Sequence, residues 1–413
     1  MSRADFRPFL PAPGQSRIAG ATPGEHTANR TRAGRAQELL KGWSELAERP
    51  FAGITVDGTV EAGLFSLDPA GAPSGAMTAA ARALLDRMSR EQRARAHLPV
   101  DSEMWRRWQN TELYLEDHGL RLDEAGPELR DAALDLLRAG LSPRGFDKTR
   151  AVMRLNGFLG ELLGGGAVLG EWSFTLCLFG TPSESEPWGW QVFGHHLSLN
   201  CFVLGERMVL TPCFMGAEPA HADSGPHAGL SLFEDEEHQG LALMRSLTPA
   251  LRSRALVSHS MKGEDLPPGR WHFADHLHLG GAYQDNRVVP YEGLPCDTLS
   301  ARQKRSLLDL VECFVEPLPA GPLTARLDEV ERHLSKTHFC WIGGTGETST
   351  FYYRIQGPVV FIEFDHHSGV FLANPDPARF HIHTIVRTPN GNDYGIDLLR
   401  QHYAGSDHHG PAG

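Results

Sequence analysis

The sequence predicts an α+β fold made of an internally duplicated unit, in which each copy runs from helices into an antiparallel strand meander and the two copies pack about a pseudo-twofold axis. One observation is that helical and strand-like patterns come in blocks and do not alternate, which favours helices segregated from an antiparallel sheet over a doubly wound parallel one. The other is that five blocks recur in the same order. ALLDRMSREQRARA (83–96) resembles ALMRSLTPALRSRA (242–255), with Arg93 over Arg252 and Arg95 over Arg254. RRWQN…HGLRL (106–122) resembles GAYQDN…EGLPC (281–296), and RDAALDLLRAGL (130–141) resembles KRSLLDLVECFV (304–315). LFGTPSESEPWGWQVFGHH (178–196) resembles WIGGTGETSTFYYRIQGPVV (341–359), with Gly180, Trp188, Trp190 and Gly194 over Gly343, Phe351, Tyr353 and Gly357. MVLTP (208–212) resembles IVRTP (385–389).

Taken in order, residues 1–35 are rich in Pro, Gly, Thr, Arg and Ala without apolar periodicity, and read as a disordered or surface-laid arm. Residues 36–76 hold a helix, patterned by Leu39, Leu40, Trp43 and Leu46, and then a hairpin over 51–67 about the Asp57-Gly58 turn signal. Copy one spans 77–219 and copy two 229–397. The acidic run FEDEEHQG (233–240) reads as a helix start, where the helix dipole favours carboxylates. Residues 404–413, with His408 and His409, read as a flexible tail.

Composition narrows the function. The chain has 413 residues, 41% of them hydrophobic, so core material is not limiting. Its 39 Lys+Arg against 51 Asp+Glu give a formal charge of -12, which opposes binding to nucleic acid and to anionic membranes. The six cysteines form no CxxC pair and read as small buried hydrophobes in a reducing compartment. The first fifteen residues lack a long apolar stretch, and no later run approaches the ~18 apolar residues of a membrane span. The expectation is a soluble, cytoplasmic protein. No GxSxG elbow, Walker A loop, GxGxxG after a strand, HExxH or EF-hand loop is present.

The 21 histidines are roughly twice an ordinary share and direct the search for chemistry. In FHIHTIVRTPNGNDYG, His381 and His383 share one strand face, because side chains alternate with period two. Two imidazoles and a carboxylate from a neighbouring strand, Glu363 or Asp365, would give three legs of a metal site with open positions for substrate. The repeat places His381, His383 and Asp365 over Leu204, Glu206 and Phe202, so polar ligand types stand in one copy where the other is largely apolar. Adjacent His195 and His196 point to opposite faces of a continuous strand unless a bulge intervenes. One of them would serve as a further ligand or proton carrier. A second cluster, His272, Asp275, His276 and His278, falls in a predicted loop. Arg387 would anchor a substrate anion, with Asn390 and Asp393 beside it either binding substrate or forming the Asn-Gly turn.

The blocks GEWSFTLCLFGTPSESEPWGWQVFGHHLSLN (170–200), TPCFMGAEP (211–219), GAYQDNRVVPYEG (281–293), YYRIQGPVVFIEFDHH (352–367) and HIHTIVRTPNGNDYG (381–395) together resemble the family catalogued as domain of unknown function 3500, over about residues 45–403. The resemblance ties the blocks into one unit and implies no reaction.

The residues therefore predict a metal-dependent enzyme acting on a small polar or anionic substrate. His381, His383, Asp365 and Glu363 would hold a divalent ion (zinc, iron or copper), and His196, His195 and Glu363 would carry the acid–base work. Water activation for hydrolysis is preferred. Iron- or copper-dependent oxidation, a non-catalytic ligand-binding module and metal-free acid–base catalysis through His196 and Glu363 are the alternatives. Oligomeric state is not legible.

Overall fold

The computed structural model of the protein describes residues 5–405 except 13 and 33, so the expected tail lies, from residue 406 on, outside the described residues. Helices α1 (Pro23–Arg30), α2 (Arg35–Ala47), α3 (Ser74–Arg87) and α4 (Arg90–Ala96) lead into the short strands β1 (His97–Leu98) and β2 (Leu120–Arg121). Helices α5 (Pro127–Gly140) and α6 (Pro143–Leu163) then precede the strands β3 (Phe174–Phe179), β4 (Trp188–Gly194), β5 (Leu197–Leu204) and β6 (Arg207–Ala217). The second half holds α7 (Glu234–Ser246), α8 (Pro249–Ala255), β7 (Leu256–Ser258), β8 (Leu294–Pro295), α9 (Ala301–Val315) and α10 (Ala320–Arg332). It closes with β9 (His338–Gly343), β10 (Phe351–Gln356), β11 (Phe361–His367), β12 (Ala378–Arg387) and α11 (Ile396–Gly405). Helices and a large mixed sheet make this an α+β protein.

Local chemistry accounts for many of the boundaries. Ser89 with Gln92 and Ser300 with Gln303 form capping boxes at the starts of α4 and α9, satisfying backbone donors that the first turn leaves free. α7 begins on the acidic run, as the dipole argument requires, but Glu236 and Glu237 are also buried partners of Lys148 and of His366 and Arg379.

The strands form one sheet in the order β1-β3-β4-β5-β6-β12-β11-β10-β9-β7, with β2 and β8 added on β3 and β9. β6 and β12 pair antiparallel at its middle, while β1 and β7 run parallel to their neighbours at the edges. Period-two alternation gives the sheet two different faces. Ile362, Phe364, Ile382 and Val386 point to the helix side, in a core shared with Leu136, Leu155, Leu307 and Leu310. The opposite face is covered by loops and α2, with Trp43, Trp105, Trp108, Phe214, Tyr283 and Ile385 packed together. His381 and His383, on the parity of Ile385, belong to this loop face.

Two N-terminal expectations take a different form. Phe6 is fully buried against Phe158 and Phe380, and α1 places buried His26 on Glu112 at 3.1 Å, so the described part of 1–35 is fastened to the domain. The hairpin over 51–67 is not formed. Gly53, Gly58 and Gly63 all take positive φ, and the turn survives only as Asp57 accepting from the Thr59 N–H. Thr55 bonds instead to the 287–289 segment, donating to Arg287 O at 3.2 Å and accepting from Val289 N at 2.8 Å. Among the described residues no helix is long and apolar enough to cross a membrane, and all six cysteines are free thiols.

Candidate metal centre

β12 carries His381 and His383 side by side on the loop face, while the third imidazole arrives by a different route from the strand expected. His195 and His196 form the two-residue turn between β4 and β5, where Gly194 pairs with Leu197. His196 takes a left-handed conformation (φ 64°), and its backbone N–H donates to Asn110 O while its carbonyl accepts from Gly216 N. The turn thus swings the imidazole over β6 toward β12. The Nε2 atoms of His196, His381 and His383 lie 3.3, 3.1 and 3.1 Å apart, and all three side chains are buried. This is the one such group of potential metal ligands among the described residues.

Gly216 makes that approach possible. It sits on β6 opposite His383, and a Cβ there would fall 2.9 Å from His383 Cδ2, 3.0 Å from His196 Cδ2 and 2.8 Å from Ile382 O. Burial, reinforced by the neighbouring imidazoles, lowers all three ligand pKa values well below the ordinary histidine range. The rings are therefore neutral at physiological pH, with lone pairs available to a cation.

Glu218 lies behind His381, with its carboxylate 3.6 Å from Nδ1. Burial pushes this carboxyl up to about 7, although it accepts backbone N–H bonds from Val370, Phe371 and Leu372, which pull the other way. At 3.6 Å the carboxylate is beyond hydrogen-bond distance of the imidazole and makes a charge contact with it. Sequence reading did not single out Glu218 or His367. His367 has the parity of Glu363 and Asp365 and so falls on the loop face, where its ring lies 4.4 Å from His383 and stacks on His276 at 3.6 Å. Period-two alternation continued from Glu363 and Asp365 was the available signal.

The predicted carboxylate ligands stand elsewhere. Asp365 pairs with His383 in register, yet its carboxylate turns to His278 at 3.4 Å and is outside the tripod. Burial opposes protonation of His278, but Asp365 outweighs it and lifts that imidazole. Glu363 is occupied as an acceptor for Leu279 N, Gly280 N and Tyr352 Oη, the last at 2.6 Å, so it anchors the 279–280 loop. His195 is next to the tripod, with its ring 3.9 Å from His196, and Nδ1 is bonded to Asn156 at 2.8 Å; burial lowers it to about 4.

Arg387, Asn390 and Asp393 form a separate buried network. The Arg387 guanidinium meets Asp285 at 2.5 Å and Asp393 at 2.7 Å and also donates to Gly280 O. Four residues along β12 place it about 13 Å from His383. It holds two of the protein's own carboxylates and no substrate position. Asn390 bonds Glu61 N and Pro358 O.

Two of the tripod residues, His196 and His383, line a cavity of about 520 Å³. His196, His383, His195, His276 and His367 line its inner part, and Trp271, Phe273 and residues of the N-terminal segment line the remainder. His276, from the cluster assigned to a loop, therefore joins the site.

One family model, described as "Protein of unknown function (DUF3500)", matches residues 70–396, a span that contains all three tripod histidines and Glu218. No curated protein and no solved structure matches the chain.

Proposed function

The chain belongs to the DUF3500 family, whose description assigns no chemistry, and from the residues themselves we propose that the protein is a metal-dependent enzyme acting on a small anionic substrate. One observation carries this reading: three buried imidazoles converge with Nε2 separations of 3.1–3.3 Å, and two of them, His196 and His383, line a cavity. Three nitrogens at this spacing would hold a divalent ion, and water or substrate would complete its coordination.

A divalent ion held by neutral imidazoles alone would keep its full charge and would supply Lewis-acid activation of water for hydrolysis. Hydrolysis is the preferred reaction on that ground. Imidazole also suits iron and copper, and oxidative chemistry at the same ion is the second reading. The proposed ligands are His196, His381 and His383, with Glu218 positioning His381; Asp365 and Glu363 have other partners.

We also propose that the fold arose by duplication of one unit, corresponding to 77–219 and 229–397. The sheet order is supportive, since it reads equivalently from either edge, with Gly194 and Gly357 both at the turn of the matched hairpin. Thr211 and Thr388, matched in the two TP blocks, hydrogen bond to each other at 2.7 Å, as expected for residues beside a twofold axis.

The test is metal analysis of full-length protein purified without a histidine tag, beside the His381→Ala/His383→Ala variant. One equivalent of a transition metal in the wild type and none in the variant is expected. Substoichiometric metal in the wild type, or equal content in both, overturns the reading.

A further inference from the structure

We infer that the cavity wall facing the tripod is an anion anchor built from Arg17, Arg30 and Arg35, and that the substrate is a small organic anion, a carboxylate or phosphate ester, with an apolar or aromatic body. This rests on the proposed metal site only for calling the ligand a substrate; the anchor itself stands on separate observations.

All three arginines line the cavity that His196 and His383 also line, and none makes an ion pair within 4 Å among the described residues, although Arg17 acts at longer range on the buried Glu218 carboxyl. The Nε atom of Arg30 is buried without a hydrogen-bond partner. Such a donor is costly to leave unsatisfied, and a ligand oxygen supplies what it lacks. Arg35 is held over the Phe273 ring, 5.7 Å from its centroid, which leaves the edge of the guanidinium free to donate.

The one carboxylate in the lining, Glu112, is already bonded to the buried imidazole of His26. Three guanidiniums against one carboxylate leave the wall a formal surplus of two positive charges in a protein whose net charge is -12. A cleft of that sign focuses small anions and orients them with the charged end at the arginines. Trp271, 37% exposed, and Phe273 add an aromatic surface to the same cavity, which suits a ligand with an apolar body. A ligand held by its anionic end at this wall presents its other end to the imidazole floor.

The experiment is isothermal titration of the full-length, metal-loaded protein with phenylacetate, phenyl phosphate and the neutral phenylacetamide. Both anions, or whichever of the two the site takes, bind at least tenfold more tightly than the amide, with an affinity that falls as salt is raised. In Arg17→Gln/Arg30→Gln/Arg35→Gln that preference disappears while metal content and melting temperature stay at wild-type values, and the corresponding triple Lys variant retains part of it. The inference is overturned if neither anion outbinds the amide, or if the Gln variant binds anions like the wild type. The His381→Ala/His383→Ala variant separates the two readings. Metal lost with the anion preference intact supports the arginine anchor on its own, whereas a preference that vanishes with the metal assigns the anion to the ion and overturns the anchor.

Discussion

Gly216→Ala tests the tripod without removing a ligand. The new methyl would sit 2.9 Å from His383 Cδ2, 3.0 Å from His196 Cδ2 and 2.8 Å from Ile382 O. Carbon contacts settle at about 3.5–4.0 Å, so each ring must retreat by about 0.5 Å or more. The Ile382 carbonyl belongs to the β6–β12 pairing and cannot move without disturbing it. If the rings move apart, the 3.1 Å separation between the His196 and His383 nitrogens opens toward about 4 Å, close to the limit that two metal–nitrogen bonds of about 2.1 Å can span. Metal affinity should fall by about 10–100-fold, the range for disturbed ligand support, and stability by about 1–3 kcal/mol, as for overpacked sites. Competition against a chelator of known affinity measures the first, and thermal denaturation of the metal-free protein the second. Gly42→Ala in α2, where a methyl meets nothing within 4 Å, is the matched control and should leave metal affinity unchanged. Wild-type metal affinity in Gly216→Ala would refute the argument that this glycine lets the imidazoles converge.

Arg387→Leu leaves Asp393 buried without its cation, while Asp285 keeps Arg106 at 2.9 Å, and should destabilise the protein by about 3 kcal/mol in urea denaturation; a loss below about 1 kcal/mol would contradict the buried-network role. Burial alone would raise the Glu237 carboxyl, but hydrogen bonds from His366 and Arg379 outweigh it and hold it at about 2. Against about 4.3 for an unfolded glutamate, this contributes on the order of 3 kcal/mol that is present above pH ~4.3 and lost as pH falls toward 2. Glu237→Gln should flatten the pH dependence of stability between pH 5 and 3, and an unchanged profile would show that Glu237 is not its source.

Much of the centre was legible because strand parity is a property of residue order. His381 and His383 had to share a face, and the HH after Gly194 stood at a matched position. The remaining geometry depends on relations that residue order does not encode. His196 reaches the cluster because Gly194 ends a strand and the two histidines make a turn, so the two-face argument for a continuous strand did not apply. Asp365 was on the right face and in register with His383, but His278, from a loop 87 residues earlier, takes its carboxylate. Arg387 was visible as a charge, whereas Asp285, its partner 102 residues away, was not visible as its complement. The described part of 1–35 shows the opposite limit: its composition does describe a chain without its own core, but not that Phe6 and His26 would be buried against the rest of the domain.

The β6–β12 pairing has a consequence for how the ion would bind. His196 and His383 are 187 positions apart and lie on either side of that seam. Closing a chain segment of that length costs on the order of 4–5 kcal/mol in loop entropy. Here the backbone ladder and its apolar cover meet that cost before any ion arrives, so coordination draws on its full bonding energy and carries little chain ordering of its own. A bound ion would act as a latch across the midline of the sheet, and the protein's resistance to unfolding should then rise with free metal concentration by mass action.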